Sequence, residues 1–123
     1  MRIKFRRPWR HRWQDPRGNF HALFHSFIRG LPGGHAFSHD GTSWTFASKA
    51  NGFLQDGAYG LNITLRNKSV VTLGRRERPH LLLDAAGNPS VLTNGVQPAG
   101  AGTEDWTYTA AFPIGATSLW RVQ

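Results

Sequence analysis

Glu77 stands in LGRRERPHLLLDAAGNP (residues 73–89), flanked by Arg75, Arg76 and Arg78 and followed closely by Pro79. The chain holds only 7 acidic residues against 15 lysines and arginines, so a carboxyl group in this company asks for a reason. Two kinds of chemistry suit it: a salt-bridged residue at the start of a β-strand, or a positioned acid that donates a proton in a reaction. The histidines His21, His25, His35, His39 and His80 raise the question of a metal. Residues four apart on a strand share a face but lie about 13 Å apart. That distance is too long for His21 and His25 to hold one small ion, and neither a metal nor a cofactor is expected. Ser38 and Asp40 beside His35 and His39 resemble the parts of a nucleophile pair. Their place in SHDGTSW, a tight turn, argues for structural duty instead.

The elements that must carry these residues follow from composition and alternation. The 123 residues suit one domain or part of one. Hydrophobic residues make up 39%, with 14 glycines, 7 prolines and no cysteine, a mixture typical of a turn-rich β-protein without disulfides. No apolar run approaches the ~20 residues of a membrane helix, and the basic start is not followed by the apolar segment of a secretory signal. No membrane partner is therefore expected, and localisation stays open. Arg2, Lys4, Arg6, Arg7, Arg10 and Arg12 carry six of the net +8 charges, which leaves +2 for the remainder. Residues 1–12 read as a basic arm. Such an arm suits phosphate backbones, with Trp9 and Trp13 available for stacking, but no nucleic-acid motif accompanies it.

Helical periodicity is nearly absent. NFHALFHSF (residues 19–27) is apolar or aromatic on both faces, as in a strand covered on both sides. LPGG and SHDGTSW are turns, with HAFS between them and SWTFAS after them as short strands. YGLNITLRN alternates with period two, KSVVTLG returns as its partner, and RPHLLLD, SVLTNGV and DWTYTAAFPI read as further strands. A loose loop is expected over residues 97–103. The fold class is all-β.

An internal repeat bears on the architecture. DPRGNFHAL (residues 15–23) and DAAGNPSVL (residues 84–92) share D-x-x-G-N-x-x-x-L at a spacing of 69 positions. The pattern describes a β-hairpin whose Asp caps the turn while a later residue takes positive φ. Asp15 is thereby read as a turn residue, not as a catalytic carboxylate. Antiparallel hairpins recurring at this spacing suit the blades of a β-propeller.

DPRGNFHALFHSF, GGHAFSHDGTSWTF and RRERPHLLLDAAGNPSVLTNGV together resemble the five-bladed β-propeller glycosidases similar to glycoside hydrolase family 43. The resemblance spans roughly residues 13–113. It implies about two to two and a half antiparallel blades of an incomplete five-bladed propeller over residues 13–123. Glu77-Arg78-Pro79-His80 resembles the Glu-x-Pro motif whose glutamate is the general acid of the family. The family's chemistry implies two further aspartates, one a base or nucleophile and one that tunes the acid. The second is expected in an Asp-Pro step just before Trp13, where this chain reads RRPWRHRW. The first is expected in an earlier blade, before Met1.

The expectation is a portion of a glycosidase-like propeller whose parent hydrolyses a glycosidic bond, itself inactive with Glu77 as candidate general acid. His35 and His80 fall near strand starts and suit hydrogen bonds to sugar hydroxyls. Trp44 suits a sugar platform as well as packing between blades. The expected partner is a carbohydrate, bound with or without turnover. A second copy or missing blades would complete the fold. The alternative reading, a nucleic-acid binder working through the basic arm, is the less expected one. Asn62-Ile63-Thr64 and Asn67-Lys68-Ser69 are glycosylation sequons, relevant only to a secreted chain.

Overall fold

The computed structural model describes residues 10–25, 33–46, 58–100 and 107–114, and every regular element among them is a β-strand. β1 (Arg10–Gln14), β2 (Phe20–Phe24), β3 (Gly34–Ser38) and β4 (Thr45–Phe46) form one antiparallel sheet in chain order. β5 (Asn62–Thr64), β6 (Val70–Leu83), β7 (Pro89–Pro98) and β8 (Tyr108–Pro113) form a second of the same kind. Two four-stranded meanders are consistent with two blades of a partial propeller. β1 begins at Arg10, so the first sheet takes in three residues of the stretch read as a basic arm; residues 1–9 lie outside the described residues.

The two repeat hairpins turn alike. The Asp15 amide donates to the Asn19 carbonyl and the Gly18 amide to the Asp15 carbonyl, each at 2.9 Å. In the second hairpin the Asp84 amide donates to the Asn88 carbonyl at 2.8 Å and the Gly87 amide to the Asp84 carbonyl at 2.9 Å. Gly18 and Gly87 sit at φ of 87° and 83°, a left-handed conformation open to glycine at no steric cost. Each aspartate caps its turn: Asp15 Oδ1 accepts from the amides of Arg17 and Asn19, and Asp84 Oδ1 from those of Ala86 and Asn88. A third copy of the turn lies at residues 65–69, closed by Leu65 and Lys68 amides donating to Ser69 and Leu65 carbonyls. Lys68 takes the left-handed position there, at φ 67°. The motif is invisible in the sequence because Leu65 and Lys68 stand where Asp and Gly stand in the other two.

KSVVTLG and RPHLLLD were expected as separate strands, with Glu77 leading into the second. They are one 14-residue strand, β6, in which Glu77 is central. The reason is β7, which pairs with β6 from Leu73↔Pro98 to Leu83↔Pro89 and absorbs the Arg-Pro step as an irregularity between Glu77 and His80. Pro79 has no amide to give to the ladder, so a bulge is where it is tolerated. The expected loop over residues 97–103 also starts later, since β7 runs through Pro98.

Both faces of β2 are covered, as its residues require. Leu23 packs with Tyr59, Leu81 and Leu92, flanked by Trp13, Phe112 and Ile114, and this cluster joins the two sheets. Ala22 faces the other way, paired with Ala36 in β3, and the small side chains admit Trp44 with Phe20, Phe24 and Phe46 around it. Gly33 bridges to Tyr59, where even a methyl group would collide with the phenol ring.

Candidate functional site

Arg75 and Glu77 are two apart on β6 and project from the same face. Their side chains form an ion pair, Nη1 to Oε1 at 3.1 Å, and both are partly exposed. Across the ladder on β7, Gln97 lies opposite Arg75 and Gly95 opposite Glu77. Gly95 has no side chain, which leaves a hollow beside the carboxylate. The resulting pocket of about 170 Å³ is lined by Arg75, Glu77, Arg78, Gly95, Gln97 and Thr107.

Arg76 projects oppositely and anchors this stretch of β6 from within. It is 6% exposed, with its guanidinium carbon 4.0 Å from the ring centre of Phe112 and 4.7 Å from that of Tyr59. Its Nε and Nη2 donate to Asn94 Oδ1 at 3.2 and 3.0 Å, and Nη1 donates to the Gly60 carbonyl at 2.7 Å. Burial lowers its pKa to about 10, which leaves it charged at neutral pH. The phenol of Tyr59 is pushed up by the same burial. Asn94 completes the clamp by donating from Nδ2 to the Glu77 carbonyl at 3.3 Å.

At the bulge Arg78 adopts φ 49°, an unusual left-handed conformation for a bulky residue. Its amide donates to Nδ1 of His25, just beyond β2, at 3.0 Å. That bond requires an unprotonated Nδ1, and burial lowers the His25 pKa, aided by the charges of Arg78 and Arg75 and opposed by Glu77.

A second polar cluster lies in the first sheet. His21 Nε2 meets Asp15 Oδ2 at 3.0 Å, and His21 Nδ1 meets His35 Nε2 at 3.0 Å. A carboxylate only accepts, so neutral His21 carries its proton on Nε2 and takes one from His35 on Nδ1. Trp13 stacks on His21 with ring centres 4.8 Å apart. The Asp15 carboxyl is held well below its usual range, first by His21 and then by the Asn19 and Arg17 amides. His35 is lowered to about 4 by burial and by the neighbouring His21.

The residues singled out from the sequence are therefore dispersed. Glu77 lines the pocket. His35 is committed to His21, and His80 stands against His11 at 4.2 Å between ring centres. Trp44 is buried in the aromatic face of the first sheet, with Nε1 donating to the Gly41 carbonyl at 3.2 Å and Arg12 over its ring. None of these three joins Glu77 around the pocket. Ser38 and Asp40 are turn residues: Ser38 Oγ donates to Asp40 Oδ1, and the Ser43 and Thr42 amides hold the Asp40 carboxyl down at about 2. No group of three histidines or acids among the described residues is arranged to hold a metal. Gly95, Gln97 and Thr107 carried no local signal. They belong to the site because β7 pairs back on β6.

No protein-family model, curated protein or solved structure matches this chain.

Proposed function

We propose that this chain is part of a glycosidase-like β-propeller whose parent hydrolyses a glycosidic bond, and that by itself it binds a sugar at the Glu77 pocket without turning it over. The observation that carries the reading is the pocket's polar lining around the Glu77 carboxylate. Glu77 offers an acceptor for hydroxyl groups, while Arg75, Arg78 and Thr107 offer donors. Sites for drug-sized ligands usually measure ~300–1,000 Å³. At about 170 Å³ this one suits a single sugar ring.

The non-catalytic part of the proposal rests on the acids. Glycoside hydrolysis uses two carboxyl groups roughly 5–9.5 Å apart. Among the described residues, Asp15, Asp40 and Asp84 all accept backbone amides within turns, and Glu77 is paired with Arg75. Among the described residues, no second carboxyl group lines the pocket.

Saturation-transfer NMR with a panel of monosaccharides tests the proposal. Binding is expected in the native chain and lost in Gly95→Val, whose new methyl groups enter the hollow. A Cβ at Gly95 meets no atom nearer than the Glu77 carbonyl at 4.0 Å, so the variant should melt like the parent. Glu77→Gln should weaken binding about tenfold, the scale of one charge-assisted hydrogen bond. Native-like binding by a folded Gly95→Val chain would sink the assignment. Release of nitrophenol from aryl glycosides by the chain alone would overturn its non-catalytic part.

A further inference from the structure

We infer that the sugar bound in the Glu77 pocket carries a carboxylate, as a uronate does, and that Arg78 receives it. This deepens the sugar-binding reading and rests on it.

The first ground is charge. The described lining contains two guanidinium groups and one carboxylate. Arg75 and Glu77 answer each other at 3.1 Å, whereas Arg78 forms no ion pair with an acid among the described residues. A neutral sugar would leave that charge unused. A carboxylate on the ring would meet it with two parallel hydrogen bonds, the geometry for which a guanidinium is built. Glu77, already neutralised by Arg75, remains an acceptor for ring hydroxyls.

The second ground is how Arg78 is held. A non-glycine residue at φ 49° costs conformational energy, and such residues persist only where their surroundings impose them. Here the imposing groups come from elsewhere in the fold. His25 accepts the Arg78 amide, and Asn94, itself fixed by buried Arg76, holds the preceding carbonyl of Glu77. Bulges re-aim side chains, and this one turns Arg78 to the pocket wall. Merely accommodating Pro79 would not call for an arginine at that position, since glycine takes the same conformation without strain.

The experiment compares glucuronate with glucose on the full chain by NMR titration at low and at physiological salt. The native chain should bind glucuronate about tenfold more tightly than glucose at low salt, with the preference shrinking as salt rises. Arg78→Gly should melt at the same temperature or higher, because glycine is at ease at φ 49°. It should lose the preference, binding glucuronate no more tightly than glucose. Equal affinities in the native chain would overturn the inference and leave the sugar-binding reading standing. A preference that survives in Arg78→Gly would assign the carboxylate to another group and overturn it too. Binding of neither sugar would remove the sugar-binding reading itself. Acetate competing as strongly as glucuronate would mark an anion site indifferent to sugars and defeat the inference.

Discussion

His35 shows how a polar residue is spent on structure. With its pKa lowered to about 4 from an ordinary 6.5, it stabilises the fold in its neutral form. That contribution is complete above pH 6.5 and is lost as the pH falls toward 4, because the unfolded chain takes up the proton first. His25, also lowered by burial, acts in the same direction. The denaturant midpoint is therefore expected to drop between pH 7 and pH 4, and His35→Gln should flatten that slope. A midpoint indifferent to pH in this window would contradict the assignment. Arg76 is the other decisive residue. Its loss in Arg76→Ala leaves Asn94 Oδ1 and the Gly60 carbonyl without their donor and opens the gap between Tyr59 and Phe112. The expected cost is about 2–4 kcal/mol by equilibrium unfolding. Arg76→Met, which keeps the stem between the rings but not the donors, should fall between the two.

At the scale of elements, three turns of one geometry make opposite predictions. Gly87→Ala forces a methyl group into the left-handed region and should cost about 1–2 kcal/mol. Lys68→Gly relieves the same conformation and should gain about 0.5–1 kcal/mol. Denaturant midpoints read both, and equal effects of like sign would refute the shared geometry. The bulged strand β6 sets a different constraint. Its pairing with β7 brings Gly95 and Gln97 against Glu77 and Arg75, so the pocket belongs to a strand pair and not to a motif. The Asp-x-x-Gly-Asn hairpins were legible beforehand because turn chemistry is local. A turn between YGLNITLRN and KSVVTLG was legible too, but its likeness to the other two was not, since it reaches the same hydrogen bonds with unrelated side chains.

At the scale of the molecule, the two ends of β6 leave apolar surface exposed. Leu65, Val70 and Val71 flank one end, and Leu82 and Leu83 the other. Exposed apolar residues beside sheet edges favour association. Light scattering should therefore show a mass that rises with concentration, and Val70→Lys with Leu82→Lys should reduce that rise. A fixed monomer mass across the range would count against it.

The sequence by itself determined that the chain is all-β, where several of its hairpins turn, that Asp15 is a turn cap, and that Glu77 sits among arginines worth explaining. These are consequences of alternation and turn chemistry, which act over a few residues. Only the tertiary structure decided that Glu77 lies in mid-strand beside a hollow, that Arg78 is strained toward it, and that His35, His80 and Trp44 serve elsewhere. The setting of Glu77 and Arg78 depends on pairing between residues 18 to 53 positions apart, such as Arg76 with Asn94 and Arg78 with His25, and no local pattern encodes which distant strand will arrive.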